Sequence, residues 1–282
     1  MITIEVNGRR KLLGSLQSPD ETHPAPWIAP SSLGNRVLHY WQEIPNHHPH
    51  VRLLSCQLMP DHFHGILFIT ERTEVHLGTI INSFKKAGNF DAKELSLAPL
   101  WEKGYNDIFL SKKGQLDHMI HYVEDNPRRL WVKKNNPELF KIKSDISVAG
   151  IKLTALGNTF LLDYPIKAAV QCTRKLTDEQ IAQEVERFME MARHGAVLVS
   201  PAISKGEKTV ISAAQESGAP VIKLIENGFT PMWKPSGKDF DACAQGKLLL
   251  ITPWEHHNQK LDITRDKCLK LNHIAALIAN SQ

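Results

Sequence analysis

The sequence predicts an α+β domain over residues 1–145 followed by a Rossmann-like α/β domain over residues 146–282, on three observations. In the first half, two strand-like runs flank the tight turn Met59-Pro60-Asp61, with helical spacings before and after them. In the second half, short apolar runs alternate with helix-length amphipathic stretches, the pattern of buried parallel strands with helices between them. The third observation is an asymmetry: ten of the fourteen histidines lie before residue 142. Charge divides evenly, with 17 Lys+Arg against 15 Asp+Glu over residues 1–142 and the same over 143–282. Bulk charge therefore does not say which half meets an anion, and histidine directs the search for chemistry to the first.

The elements follow in order. Residues 2–6 form a short β-like run, and Leu33, Val37, Tyr40 and Trp41 recur at helical spacing behind the N-cap pair Ser31-Ser32. Residues 53–59 and 62–69 are the two arms of a hairpin. Leu77, Ile80, Ile81 and Phe84 mark a second helix. Leu116, Ile120 and Val123 mark a third over residues 115–126, stopped near Pro127 because proline disfavours helix in the residue before it. Beyond a boundary within residues 141–150, strands are expected at 196–200, 221–225 and 248–251, with helices at 178–193, 207–217 and 264–279.

Composition narrows the class. With 42% hydrophobic and 23% charged residues the chain is globular rather than disordered or fibrous. No apolar run reaches the roughly 18 residues of a membrane span. The opening Met1-Ile-Thr-Ile-Glu-Val lacks the basic start of a secretory signal, so a cytoplasmic location is expected. Cys56, Cys172, Cys243 and Cys268 are far apart with no C-x-x-C pair, which speaks for a reduced chain and against a zinc knuckle.

The chemistry centres on Asp61-His62-Phe63-His64-Gly65. Strand side chains alternate, so His62 and His64 share one face while Phe63 points into the core. Two such imidazoles can converge on one ion. A bare His-x-His is equally what two exposed histidines at a hairpin end present. On the third helix Tyr122 and Asn126 are four apart and share a face, although a helical tyrosine taken alone is ordinary packing. A divalent ion held by His62, His64 and the Asn126 amide oxygen would polarise a phosphate. Tyr122 in line would then attack, giving a covalent 5′-phosphotyrosine.

The run from Leu58 to Leu67, Leu-Met-Pro-Asp-His-Phe-His-Gly-Ile-Leu, resembles the metal-binding strand of single-tyrosine HUH transposases, in particular the REP-associated tyrosine transposases. The likeness continues in order through Ser83-Phe84-Lys85, the run Leu100-Trp-Glu-Lys-Gly-Tyr105-Asn-Asp107 and the run Tyr122-Val-Glu-Asp-Asn126-Pro127, and covers residues 1–140. It implies an antiparallel ferredoxin-like sheet with helices on one face. It also implies magnesium or manganese held by His62, His64 and Asn126, Tyr122 as nucleophile, and single-stranded or hairpin DNA as substrate. Monomers and tyrosine-exchanging homodimers both occur in the family. Asn106 stands where that family often carries a second aromatic, a departure that leaves open a domesticated protein that binds DNA without moving it.

Cations cluster next to the tyrosine. Arg128, Arg129, Lys133 and Lys134 flank Trp131, which either stacks on a base or packs inside a solvated helix end, and Lys85, Lys112 and Lys113 are further backbone-contact candidates. In the second half, Ser200, Ser204, Lys205 and Gly206 form a polar loop between a strand and a helix, where backbone donors could cradle a phosphate. It matches neither a Walker A nor a G-x-G-x-x-G pattern and reads equally as an ordinary turn. This stretch, with residues 247–253 and 263–272, partly resembles the Rossmann-like domain of the DNA-processing protein A family. That resemblance implies a second surface for single-stranded DNA or a nucleotide, with Arg265 as its first candidate. Three functions are expected to compete: a metal-dependent DNA cleaving and joining enzyme, a non-catalytic DNA binder, and a nucleotide-binding effector recruited to DNA.

Overall fold

The computed structural model describes residues 1–259 and 262–281. The chain is a mixed α/β protein with one antiparallel sheet and one sheet containing parallel strands. It divides into two compact units, Met1–Lys134 and Asn135–Gln282. Residues 135–145 go with the second because their contacts lie there: the Cys243 thiol donates to the Leu139 carbonyl at 3.0 Å, and Phe140 stacks on Phe240 at 5.1 Å.

The first unit runs β1 (Ile2–Glu5), β2 (Gly14–Gln17), β3 (Trp27–Pro30), α1 (Ser32–Gln42), α2 (Ile44–His47), β4 (Val51–Met59), β5 (His62–Ile69), α3 (Leu77–Glu94), β6 (Asn106–Asp107), α4 (Gln115–Glu124) and α5 (Asn126–Asn135). Its main sheet is ordered β4-β5-β1-β6 with every neighbour antiparallel, while β2 and β3 form a separate ribbon. Each helical crossover, β1 to β4 and β5 to β6, therefore skips over one strand. Helix α1 starts where Ser31 accepts a hydrogen bond from Gly34 N–H at 3.0 Å, a side-chain N-cap. Ile2, Ile4 and Val6 alternate inward from β1 and Phe63 from β5, and they bury with Val37 and Trp41 of α1 and Ile80, Ile81 and Phe84 of α3. Phe63 lies 5.0 Å from Trp41 and 5.5 Å from Phe84, ring to ring. Gly65 has to be glycine: a Cβ there would sit 2.4 Å from the Trp41 ring.

One helix differs from expectation. The stretch 115–126 is not continuous, because α4 ends at Glu124 and Asn126 opens α5. Pro127 does not stop the helical path. It sits in the first turn of α5, where the N–H it lacks would have no intrahelical partner.

The second unit runs β7 (Lys143–Val148), β8 (Ile151–Gly157), β9 (Lys167–Ala169), α6 (Asp178–Arg193), β10 (Val197–Ser200), α7 (Lys205–Glu216), β11 (Val221–Leu224), α8 (Gly237–Ala244), β12 (Leu248–Thr252) and α9 (Arg265–Asn280). The sheet order is β7-β8-β12-β11-β10-β9. The four strands β9 to β12 are parallel and neighbours in sequence order, and β8 and β7 extend the sheet antiparallel. Val197, Val199, Ile222, Leu224, Leu249 and Ile251 face Leu271, Ile274, Ala275 and Ile278 of α9. The alternate residues of the same strands turn to the other face, where α7 packs on β10 and β11 and α8 on β12. The edges and α8 were not visible as apolar runs: β9 is only Lys-Ala-Ala, and β7 alternates without a fully buried residue.

Candidate functional site

Register places the two histidines. Strand β1 pairs with β5 so that Thr3 lies opposite His64 and Glu5 opposite His62, and β4 brings Gln57 opposite His64. These side chains share the sheet face opposite the α1–α3 core. Helix α4 covers part of that face, packing on β4 and β5.

Both rings are held from behind. Asp61 Oδ1 lies 2.7 Å from His62 Nδ1, and Thr3 Oγ1 lies 2.9 Å from His64 Nδ1. With Nδ1 of each ring paired to an oxygen, the two Nε2 atoms are left to face each other within hydrogen-bond distance. Those two nitrogens stand 3.2 Å apart. Two nitrogens bound to one ion at about 2.1 Å lie about 3.0–3.4 Å from each other, so the pair already has the spacing of adjacent ligands. Burial, with His62 and Arg9 adding to it, pushes His64 down to about 3, so its imidazole is neutral near neutral pH. Burial works against the Asp61 carboxylate, but the His62 hydrogen bond and the Arg9 charge hold it below its usual range.

Tyr122 joins this group: its ring is 6.2 Å from that of His64, edge-on, and it is 38% exposed. The Arg129 guanidinium lies 5.7 Å from the Tyr122 ring centre, which brings the start of α5 to the site. Asn126 uses its amide nitrogen locally, donating to the Tyr122 and Val123 carbonyls at 2.9 and 3.2 Å. Among the described residues no group of three or more His, Cys, Asp or Glu side chains gathers as a metal site, so the protein's own contribution of these types is the histidine pair.

The cation candidates sort by their partners. Lys112, Lys113 and Lys134 are exposed, while Trp131 and Lys133 are half-buried. Arg128 is engaged with Asp125 through two contacts of 2.5 and 2.9 Å. Lys85 is corrected as a DNA contact: it is buried, and its ammonium donates to the Glu102 and Gly104 carbonyls at 2.7 and 2.6 Å. It anchors a loop.

The loop of the second unit is also corrected. Ser204 is the N-cap of α7 in a capping box with Glu207. The Glu207 carboxylate is buried and accepts from the backbone N–H groups of Cys172 (3.2 Å), Ile203 (2.7 Å) and Ser204 (3.2 Å). The anion at this helix start is therefore the chain's own. Ser200 is buried and donates to the Val170 carbonyl, and Lys205 pairs with Asp178 at 2.5 Å. Gly206 packs so closely that a Cβ would sit 2.8 Å from Cys172. Arg265 opens α9 next to its N-cap Thr264. The open space lies beside this loop, at the carboxyl ends of β10 and β11, as a cavity of about 650 Å³ lined by Ala202, Lys208, Asn227, Trp233 and His256 among others.

Reasoning from sequence missed Thr3, Glu5, Arg9 and Glu207. Asp61 was in view as the residue before His62; Thr3 and Glu5 could be found only through the pairing of β1 with β5.

No family model matches the chain. An uncharacterized protein of Haemophilus influenzae is 26% identical over 119 residues, covering 34% of this chain. The chain spans 66% of that relative's length, just under two thirds. Among solved structures, DNA processing protein A from Helicobacter pylori, studied for its single-stranded DNA binding mode, is similar with TM-score 0.39 and 20% identity. That match covers 50% of this chain and 67% of that one. DNA processing protein A from Streptococcus pneumoniae is similar with TM-score 0.37 and 16% identity, covering 88% of this chain and 71% of that one. The resemblance of residues 1–140 to tyrosine transposases finds no support among these proteins. The expectation of a DNA cleaving and joining enzyme is corrected on this finding: the similar structures are DNA processing protein A proteins, not tyrosine nucleases. Among the described residues no helix is long and apolar enough to cross a membrane.

Proposed function

We propose that this chain is a non-catalytic single-stranded DNA-binding protein whose first unit presents a metal-assisted phosphate site. The observation that carries the reading is the His62–His64 pair, with the Nδ1 atoms paired to Asp61 and Thr3 and the two Nε2 atoms turned to each other at 3.2 Å, the spacing of adjacent ligands on one ion. Magnesium or manganese is the ion we assign to these nitrogens, with the Asn126 amide oxygen as third protein ligand and water or a phosphate oxygen completing the shell. When bound, the ion supplies positive charge for a phosphodiester. Tyr122 offers a half-exposed ring for an unpaired base. Arg129, Lys112, Lys113 and Lys134 supply backbone contacts that fix the strand without reading its sequence. Single-stranded DNA is also the ligand of the Helicobacter pylori protein.

The strand order β4-β5-β1-β6 with two helical crossovers supports a ferredoxin-like reading of the first unit, and β9 to β12 with their helices a Rossmann-like reading of the second.

The test is oligonucleotide binding by fluorescence anisotropy, with Mn²⁺ and with chelator, for wild type and His62→Ala. Wild-type binding that Mn²⁺ strengthens about tenfold or more, and that the variant leaves insensitive to Mn²⁺, is the expected result. Equal binding in both conditions removes the metal from the reading. A denaturant-resistant protein–DNA adduct in the same samples would overturn the non-catalytic assignment.

A further inference from the structure

Arg9 and Arg10 are adjacent in sequence but are used differently. Arg10 is tied to main chain, its Nε donating to the Asn7 carbonyl at 3.0 Å and a terminal nitrogen to the Pro99 carbonyl. Arg9 lies instead over the histidine end of the sheet. One terminal nitrogen pairs with Glu5, and the other lies 3.6 Å from Asp61 Oδ2 and 3.5 Å from His62 Nδ1. The last contact is not a hydrogen bond once Nδ1 carries the proton that it gives Asp61, because two donors then face each other. This arm of the guanidinium is therefore short of a good acceptor, and the side chain is 48% exposed.

The backbone makes the placement costly. Gly8 (φ 63°) and Arg9 (φ 53°) are both left-handed, a conformation glycine takes freely and a Cβ-bearing residue resists. The turn is held on several sides: Gly8 N–H donates to Glu102 Oε1 at 2.8 Å, Arg9 N–H to the Val6 carbonyl at 2.8 Å, and Val6 N–H to the Asp61 carbonyl at 2.9 Å. An arginine kept in a strained turn, half-exposed, with one arm held only by the 3.6 Å ion pair to Asp61, has room for a closer acceptor from outside.

We infer that Arg9 takes a phosphate oxygen of an unpaired DNA strand, the phosphate next to the one over the His62–His64 pair, so that the turn at residues 7–10 forms one wall of the DNA track. This rests on the single-stranded DNA reading above. A guanidinium suits the role because its spread donors let one terminal nitrogen keep Glu5 while the other reaches a phosphate oxygen, which the single point of an ammonium cannot do.

The test is the salt dependence of binding of a labelled oligothymidine by the full chain, for wild type, Arg9→Gly, Arg9→Lys and Lys93→Gln as a charge-matched control. Arg9→Gly is the informative variant because it removes the guanidinium while relieving the left-handed strain, so its Tm should equal or exceed that of wild type. Each phosphate neutralised on a single strand contributes about −0.7 to the slope of log affinity against log salt. Arg9→Gly should therefore flatten the slope by about 0.7, whereas Arg9→Lys should keep the slope and lose affinity about threefold or more. Lys93→Gln should leave both unchanged. Wild-type binding with the same slope in Arg9→Gly overturns the Arg9 assignment alone. Absence of salt-dependent binding by the wild type overturns the DNA-binding reading, and the Arg9 assignment with it.

Discussion

The hairpin end at residues 61–64 and the strand-to-helix turn at residues 200–207 begin from similar material, polar side chains at the end of a strand, and finish oppositely. At the first, Asp61 and Thr3 take the rear nitrogens of two imidazoles and leave the front ones facing only each other, at 3.2 Å. At the second, Glu207 folds back on the helix start and consumes the backbone donors that an external anion would need. A helix N-terminus favours a negative charge, but the sequence itself can supply that charge. What separates a site from a turn is which polar atoms remain unspent, not which residues are present.

The largest effect should come from undoing the closed turn. Glu207→Ala strips the acceptor from three backbone N–H groups in a buried setting, and the expected loss is about 4 kcal/mol of stability. Thermal and denaturant unfolding would measure it, and the comparison predicts that the variant gains no more than weak phosphate affinity. An unchanged Tm would mean that the carboxylate is not what holds the turn, and that the turn is open to a ligand after all.

The next largest effect concerns pH and the open site. His64 titrates near its ordinary value, about 6.5, in the unfolded chain and at about 3 in the folded one. Between those values the unfolded state binds more protons, so stability rises with pH across the window. The contribution is fully present above about 6.5 and is lost as pH falls toward 3, a total on the order of 5 kcal/mol. His64→Gln cannot titrate and should show a flatter profile when both proteins are melted in chelator between pH 7.5 and pH 4. Parallel profiles would mean that His64 is solvated, and with it would go the argument for a preset, neutral ligand.

How much of this was legible follows the range of each interaction. The hairpin, the inward Phe63 and the shared face of His62 and His64 depend on a period of two and could be read directly. The three central strands of the second unit and their helices were equally plain, because a short, wholly apolar run between amphipathic helices suits a strand covered on both faces. Thr3 could not be assigned, since its contact with His64 spans 61 positions and exists only in the observed register of β1 on β5. Lys85 is a backbone-contact candidate in the sequence because a formal charge carries no record of the carbonyls that surround it. Asn126 and Tyr122 were placed on one helix. The break at Asp125 puts them on two, and periodicity does not register a single residue that ends one helix just before the next begins.

The smallest effect is the sharpest test of the comparison, because it changes charge behind a ligand and nothing in front. Asp61→Asn keeps an oxygen that can accept from His62 Nδ1, so ring orientation should survive while the negative charge is lost. A carboxylate behind a ligand imidazole raises its basicity, and its removal should weaken Mn²⁺ binding about tenfold, or about 1.4 kcal/mol, by calorimetry. Thr3→Val, which removes the oxygen behind His64, is the matching change on the other ring. If Asp61→Asn binds Mn²⁺ as tightly as wild type while Thr3→Val does not, orientation alone makes the site and the charge of Asp61 serves Arg9 instead. If both weaken it, the two rear partners act together, and the front atoms at His62 and His64 depend on what has been satisfied behind them, as the filled turn at Glu207 does in reverse.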